Sequence, residues 1–265
     1  MTIAERRARF RALHEHEGIF VMPNPWDVGS TRLLTSLGFE ALATTSAGLA
    51  WTLGRNDQHV TRDELVAHVA ELAAATPLPL SVDSERCFAD DPAGVAETVS
   101  LLDEAGASGC SIEDYDPHTD SIDDVGKAAE RVAAAAEAAR ALGFPFTLTA
   151  RAENHIRGNP DLDDTIARLQ AYERAGADVL YAPGLRNGDE ISAVCSAVGK
   201  PVNVLAHKGL TIGEIVDAGG ARVSVGGALT WVAINAMAAA AKRIRDEGDF
   251  SVLAGAGQIP EWLRS

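Results

Sequence analysis

The sequence predicts an α/β fold, a (β/α)8 TIM-type barrel formed by one domain over residues 1–265. Short apolar segments alternate with helical segments eight times along the chain, which is typical of a parallel sheet. A glycine lies at several joints between a helix and the next strand, as a left-handed helix cap requires. The length of 265 residues also matches the usual size of a closed barrel. An open, doubly wound sheet is the alternative topology.

The predicted strands are short apolar runs, as expected for strands that are buried on both faces. They span residues 18–22, 41–45, 78–82, 109–112, 146–150, 179–182, 202–205 and 222–225. The glycines that mark the joints are Gly38, Gly106, Gly176 and Gly219. Each of these glycines stands just before an apolar strand, so the repeat is one of helix, cap and strand.

Helix signals follow the strands. The helix after the first strand begins near Asp27. The helix after the second strand spans 61–75, and its first residues include Thr61 and Glu64 at the spacing of a capping box. An alanine-rich helix after the fourth strand reaches Leu142. The helices after strands three and five carry apolar stripes at helical spacing. These stripes are Val95, Val99 and Leu102 in one, and Leu162, Ile166 and Leu169 in the other.

The last helix, over 227–245, is apolar on most of its faces. Besides a run of alanines it carries Trp231, Val232, Ile234 and Met237. A helix that is apolar all round must be buried, and on the outside of a barrel the cover would be another subunit. We therefore expect the segment of about 227–265 to pack on a neighbouring subunit of a homo-oligomer.

The composition excludes several classes of function. A net charge of −15 argues against binding to nucleic acid or to an anionic membrane surface. The amino terminus has no apolar segment of the kind found in signal peptides. The three cysteines, at 87, 110 and 195, lack metal-binding or redox spacing, and we interpret them as reduced thiols of a cytoplasmic protein.

Charged side chains follow three neighbouring strands at the point where each strand ends. Asp83 and Glu85 lie two residues apart and so share one side of the chain, Glu113 ends the next strand, and Arg151 ends the one after. Carboxylates gathered at one rim repel one another unless a cation joins them, and Mg²⁺ suits one or two carboxylates with several waters. Mn²⁺ is the alternative ion. The competing interpretation is a solvated rim whose acids cap helices and whose arginine pairs with Glu113.

Other candidates are weaker. The segment Ser46-Ala47-Gly48 offers a hydroxyl and backbone N–H groups that could hold a carboxylate. Asp57 follows Gly54 in a segment that could move as a lid and could act as an acid or base. Three loop histidines and one lysine also follow strand ends: His118, His155, His207 and Lys208. Each of these polar groups could equally be a solvated loop residue.

In this order and spacing, the segments resemble the isocitrate lyase/phosphoenolpyruvate mutase superfamily. The similarity runs from about Met22 to Arg243 and includes Val82-Asp83-Ser84-Glu85, Ile112-Glu113-Asp114 and Ala150-Arg151. The resemblance implies a barrel with a swapped eighth helix that forms dimers or tetramers. It implies Mg²⁺ at Asp83, Glu85 and Glu113, partly through water, and a 2-oxo acid held by Ser46, Ala47, Gly48 and Arg151. Asn203 resembles a substrate-contacting position.

The chain also departs from that family. The acidic strand is usually followed by a turn like Gly-Tyr-Gly, whereas this chain has Arg86-Cys87-Phe88-Ala89. The Lys-Lys-Cys-Gly-His loop of the isocitrate lyase branch is missing. The segment 115–121 is closer to the Pro-Lys-Thr-Asn-Ser loop of the mutase and phosphonopyruvate hydrolase branch, but His118 replaces the lysine and Asp120 the asparagine.

The resemblance, taken with these residues, implies a Mg²⁺-dependent lyase that cleaves a C–C bond of a small 2-oxo acid, or decarboxylates it, through a stabilised enolate. An oxaloacetate-like diacid is the expected substrate. The predicted catalytic residues are Asp57, Glu113, His118 and Arg151. One alternative is a hydrolase or mutase that acts on the P–C bond of a phosphonopyruvate-like acid. Another is a non-catalytic protein that binds 2-oxo acids.

Overall fold

A computed structural model describes residues 1–16 and 18–254, and within them eight parallel strands form one sheet. The strands are β1 (Phe20–Met22), β2 (Leu42–Ala43), β3 (Leu80–Asp83), β4 (Gly109–Glu113), β5 (Thr147–Arg151), β6 (Val179–Tyr181), β7 (Val202–Leu205) and β8 (Arg222–Ser224). Their order is β1-β8-β7-β6-β5-β4-β3-β2. The sheet is nearly closed, because the Ala43 N–H donates to the Pro23 carbonyl across the remaining seam at 3.1 Å. The predicted barrel is confirmed.

Helices surround this sheet. They are α1 (Ile3–Glu15), α2 (Val28–Ser36), α3 (Ser46–Thr52), α4 (Arg62–Ala74), α5 (Pro92–Glu104), α6 (Val125–Ala141), α7 (Leu162–Ala175), α8 (Gly188–Ala197), α9 (Ile212–Asp217) and α10 (Ala228–Glu247). The two predicted starts are confirmed, since Asp27 and Thr61 are the N-cap residues of α2 and α4. Thr61 and Glu64 form the predicted capping box.

The alternation of side chains along the strands separates an apolar shell from a polar interior. Apolar residues such as Cys110, Ile112 and Leu148 join the core between the sheet and the helices. The residues between them in sequence face the inside of the barrel. That interior is polar where many barrels are filled by branched apolar residues: it contains Ser81, Ser111, Thr149, Asn203, Arg222 and Ser224. These polar side chains of the strands therefore point toward the barrel axis.

Helix α1 was not predicted from the sequence, because it has no apolar stripe. Only Phe10, Arg6 and Arg7 of this helix are buried. Arg6 donates to the carbonyl of Ala73 near the end of α4 at 2.9 Å, and Arg7 donates to the carbonyl of Ala107 just before β4 at 3.0 Å. Phe10 packs edge-on against Phe20 at the start of β1. The helix is thus attached by hydrogen bonds more than by apolar contact.

A buried pair links α1 to the barrel interior. His14 accepts a hydrogen bond at Nε2 from Arg222 Nη1 (3.0 Å), and its Nδ1 lies 2.7 Å from the Phe10 carbonyl oxygen. The carbonyl oxygen is only an acceptor, so Nδ1 carries the proton and the ring is neutral. Burial and the neighbouring Arg222 lower the pKa of His14 to about 3.

Helix α10 lies exposed on this chain. Trp231, Val232 and Met237 are all exposed, and Thr230 is its only buried residue. The exposure agrees with the expected cover by a neighbouring subunit, which stays a prediction, and the segment 255–265 lies outside the described residues. No described helix combines the length and apolarity needed to cross a membrane.

Acid should destabilise the protein partly through His14. Its pKa is lower in the folded state than in the unfolded chain, so unfolding takes up a proton between about pH 6.5 and pH 3. Stability therefore falls as the pH drops through this window. His14→Gln keeps a donor and an acceptor without titrating, so we expect a smaller loss of unfolding free energy from pH 7 to pH 4.5. Urea denaturation measures it, with exposed His59→Gln as control; equal pH slopes for wild type and H14Q would contradict the assignment.

Gly109 permits the close pairing of β4 with β5. A Cβ atom at this position would lie 2.3 Å from the Thr147 carbonyl oxygen, so the strands would have to separate. We expect Gly109→Ala to cost about 1–3 kcal/mol of unfolding free energy, as overpacking does. Gly213→Ala is the control, because no atom lies within 4 Å of the added Cβ on exposed α9. Chemical denaturation of both variants tests this, and a G109A stability equal to that of G213A would refute it.

Candidate active site

A small cavity lies inside the barrel, toward the carboxyl ends of the strands. Its volume is about 50 Å³, and all eight strands contribute to its wall. The side chains that line it and matter for the chemistry are Asp83, Arg151, Tyr181, Asn203, Arg222 and Ser224. Active sites of this fold lie at the carboxyl ends of the strands. Three of the predicted residues, each from a different strand, line this cavity: Asp83, Arg151 and Asn203.

Arg151 is the centre of an acidic cluster. Its Nη1 lies 3.7 Å from Asp83 Oδ1 and 3.6 Å from Glu113 Oε2. Its Nε donates to Glu153, which also accepts from Arg157 at 3.0 Å. The structure therefore brings Asp83, Glu113 and Arg151 together as predicted. Glu153 was missed, although its position two residues after Arg151 would place it on the same side of the chain.

Asp83 is held in place by the end of β2 and the start of α3. Its backbone N–H donates to Thr44 Oγ1 at 2.9 Å, and its Oδ2 accepts from the Ser46 N–H at 3.2 Å. The segment Ser46-Ala47-Gly48 is the first turn of α3 rather than an open loop. The Gly48 N–H is already used by the helix cap at Thr45, so Gly48 has a packing role: an added Cβ would lie 2.7 Å from Trp26.

The turn after β3 adopts an unusual backbone. Glu85, Cys87 and Phe88 all have positive φ, at 48°, 59° and 53°. Side chains disfavour this region, at a cost of about 1–3 kcal/mol each. The buried guanidinium of Arg131 donates to the carbonyls of Arg86 and Ala89 and so holds the turn. The Arg-Cys-Phe sequence thus still turns Glu85 into the protein, where it is 4% exposed.

Crowding alters the acidity of the carboxyl groups at this rim. Burial, with the nearby charges of Asp83 and Asp57, raises the pKa of Glu85 to about 8. Burial and the charge of Glu153 also raise the pKa of Glu113 well above its usual range. Asp57 is exposed as a residue, but its carboxyl group faces the rim, where lost solvation and Asp83 raise its pKa. The rim therefore carries more acidic groups than its cations can balance.

The rim offers several oxygen atoms as ligands for a metal ion. Among the described residues, Asp83 Oδ1, Glu85 Oε1 and Gln58 Oε1 are buried without a hydrogen-bond partner. Such oxygens are the ligands that Mg²⁺ prefers. No three acidic, histidine or cysteine side chains in residues 1–16 and 18–254 form a compact cluster, since Arg151 lies between Asp83 and Glu113. The residues fit an ion held by one or two carboxylates and water, with Glu113 farther away.

Gln58 is a site residue that the sequence analysis missed. Its Nε2 donates to Glu113 Oε1 at 3.0 Å, so the segment after α3 is tied to the end of β4. Gln58 itself has a positive φ of 65°. Nothing in the sequence singles this residue out, because the contact joins positions 55 residues apart.

The second residue of the Glu113-Asp114 pair supports the site from behind. Asp114 accepts from Tyr172 at 2.6 Å, from Arg168 at 3.1 Å and from the Glu153 N–H at 2.8 Å. All three contacts are buried. Asp114 therefore fixes the backbone that presents Glu153, and it is not available to a ligand.

The predicted loop residues lie farther from the cavity. His118 is exposed and lines a separate outer cleft of about 730 Å³, which it shares with Glu85. His207 and Lys208 are exposed, and His155 is half-buried beside Gly184. Neither these three histidines nor Lys208 lines the central cavity. Asn203, by contrast, lies in its wall and is 1% exposed.

Comparison with known proteins gives a consistent picture. A model of the phosphoenolpyruvate phosphomutase family matches residues 10–245. A crystal structure from Burkholderia cenocepacia J2315, provisionally described as a lyase/mutase, superposes with a TM-score of 0.96 at 51% identity, covering 99% of this chain and 96% of that chain.

Two curated relatives extend the comparison. An uncharacterized protein of Mycobacterium tuberculosis (strain CDC 1551 / Oshkosh) is 34% identical over 241 residues, which is 89% of each chain. Oxaloacetate decarboxylase of Paraburkholderia xenovorans (strain LB400) is 30% identical over 202 residues, 74% of this chain and 67% of that enzyme.

Repulsion among the carboxylates at the rim should make Asp83 destabilising when no metal ion is bound. Asp83→Asn keeps the acceptor for Ser46 but removes a charge beside Glu85 and Asp57. We expect its Tm without added metal to exceed that of wild type, by about 2–4 °C for each kcal/mol gained. The control, Glu71→Gln, removes an exposed charge on α4 and should leave Tm nearly unchanged. A Tm of D83N below that of E71Q would show that the rim acids are balanced.

Proposed function

Because the chain belongs to the phosphoenolpyruvate phosphomutase family, we propose that it is a Mg²⁺-dependent lyase that cleaves or decarboxylates a small 2-oxo diacid of the oxaloacetate type. Two predictions are confirmed by the comparisons: the family resemblance, and an enzyme of the lyase/mutase type. The oxaloacetate decarboxylase relative supports the choice of substrate. The observation that carries the proposal is the meeting of Asp83 and Glu113 around Arg151 at the edge of the central cavity, which Asp83 and Arg151 line.

Each residue of the cluster has a separate role in this proposal. Arg151 pairs with the carboxylate of the substrate, because its planar group can donate two parallel hydrogen bonds. Its stacking distance of 5.2 Å from the Tyr181 ring fixes the plane of that group. The first turn of α3, with Ser46 and Ala47, borders the same carboxylate. Asn203 contacts a substrate oxygen from the cavity wall.

Asp83 and Glu85 would hold Mg²⁺ or Mn²⁺, and Glu113 would reach the ion through water. The bound ion would supply Lewis-acid stabilisation of the enolate that bond cleavage creates. Asp83 Oδ1 and Glu85 Oε1, which are buried without a hydrogen bond, support this assignment. The small volume of the cavity favours a compact acid over a larger ligand.

Asp57 is the proposed proton-transfer residue. Its carboxyl group faces the rim, and a raised pKa brings such a group closer to the range in which it can exchange a proton near neutral pH. His118 is the less favoured candidate, because it lies on the outer cleft beside Glu85. A substrate long enough to extend into that cleft would bring both residues into reach.

Two further features belong to the proposal. The exposed apolar face of α10 supports a homodimer or homotetramer in which a neighbouring subunit covers it. The three unpaired cysteines are consistent with a reducing compartment, the cytoplasm.

The test combines ligand binding with a substrate screen. We expect oxalate, which mimics a planar enolate, to raise Tm only when Mg²⁺ is present, since the folded protein would bind both together. At 100 times Kd the stabilisation would be about 2.7 kcal/mol. D83N should lose this shift, while E71Q should retain it. Pyruvate formation from oxaloacetate then measures turnover.

The alternatives give different results in the same screen. Phosphate release from phosphonopyruvate, without turnover of oxaloacetate, would replace the proposal by P–C bond chemistry, which the name of the matching family favours. Tight oxalate binding without turnover of any acid would indicate a binding protein. An oxalate shift that is independent of Mg²⁺ would contradict the metal assignment.

A further inference from the structure

Arg222 is a buried cation without an anionic partner. It begins β8, is 3% exposed, and lines the same central cavity as Asp83 and Arg151. Its guanidinium donates to Asn203 Oδ1 at 2.8 Å, to His14 Nε2 at 3.0 Å and to Thr149 Oγ1 at 3.0 Å. All three acceptors are neutral, and no ion pair joins Arg222 to a carboxylate in the part of the chain that the structure describes.

A cation in this position is costly, because burial removes its hydration. Burial lowers the pKa of Arg222 to about 9, which still leaves the side chain charged near neutral pH. Several of the other arginines in the buried interior are compensated: Arg131 pairs with Asp123 at 3.1 Å, and Arg168 with Asp114 at 3.1 Å. A charge that no protein group balances, beside a cavity, suggests that a bound anion balances it.

The contact with Arg222 also fixes the orientation of Asn203. A guanidinium has only donors, so it can face only the carbonyl oxygen of the amide. The NH₂ group must then point the other way, and it donates to Ser224 Oγ at 2.9 Å. One hydrogen of this NH₂ group is left for a ligand in the cavity.

We propose that Arg222 is a positioning residue that makes the floor of the cavity a donor-only site for the oxygens of a small anion. It holds Asn203 with its NH₂ group available to the cavity and supplies the positive charge beneath it. The floor then accepts a carboxylate or enolate oxygen and rejects a ligand group that must itself donate. The inference rests on the proposed function and adds a second cationic group to that of Arg151.

Tyr181 completes this floor. It lies next to Asn203 in the strand register and lines the cavity. Burial raises the pKa of Tyr181 to about 12, so the phenol keeps its proton and can donate it in a hydrogen bond. With His14 holding the far side of Arg222, the arrangement extends from α1 through the barrel interior to the cavity.

The decisive variant is Asn203→Asp. Its carboxylate still accepts from Arg222 and adds an ion pair there, so the fold should keep or gain thermal stability. The second oxygen, however, replaces the NH₂ donor by an acceptor and neutralises the floor. We expect the Kd of oxalate with Mg²⁺, measured by calorimetry, to rise at least tenfold while Tm does not fall. A purely structural pair would show the higher Tm with unchanged oxalate affinity.

Two more variants complete the design. Asn187→Asp adds the same charge at the exposed N-cap of α8 and should bind oxalate like wild type. Arg222→Lys keeps the charge but not the planar group that fixes Asn203, so its oxalate affinity should also fall severalfold.

Oxalate affinity within twofold of wild type in N203D, or in R222K, would overturn the inference, because donor polarity or positioning would then be unnecessary. If wild type itself binds no oxalate with Mg²⁺, the proposed function fails, and the inference fails with it. The two failures can be told apart, because the affinities of N203D and R222K can be compared with wild type only if the wild-type protein binds oxalate.

Discussion

The concentration of acidic side chains around a single guanidinium is the constraint on which this structure depends. Arg151 lies within reach of Asp83, Glu113 and Glu153, and the pKa values of Glu85 and Glu113 are raised. The acidic side chains would move apart if the backbone segments that carry them were flexible. These segments are held by a shell of buried arginines and hydrogen bonds, with Arg131 behind the turn after β3 and Asp114 behind the loop after β5. The folded state is therefore less stable than it could be, because it holds like charges close together.

The barrel could be predicted from the sequence because its signals are local. Short apolar strands, glycine caps and the capping box at Thr61 depend on residues a few positions apart, and the structure confirms them. The rim residues could also be predicted, since every parallel strand delivers its last side chains to one edge. Strand alternation explains why Asp83, Glu113 and Arg151 meet, and the same rule applied once more would have found Glu153.

The remaining features depend on contacts between distant parts of the chain. Helix α1 lacks an apolar stripe because buried arginines attach it to backbone carbonyls. Gln58 meets Glu113 only in the folded barrel. The turn after β3 has no glycine, and its left-handed backbone depends on Arg131, which lies more than forty residues along the chain. Side chains that satisfy the backbone elsewhere leave no periodic pattern, so sequence periodicity cannot reveal them.

The size of the central cavity has a kinetic consequence. A volume of about 50 Å³ has room for only a few water molecules, so a diacid of the proposed type would fit only if the wall moved outward. Ligands would then bind a minor population, and their apparent affinity would be reduced according to the fraction of molecules that are open. Capture of the substrate would be limited by how often the barrel mouth opens rather than by diffusion.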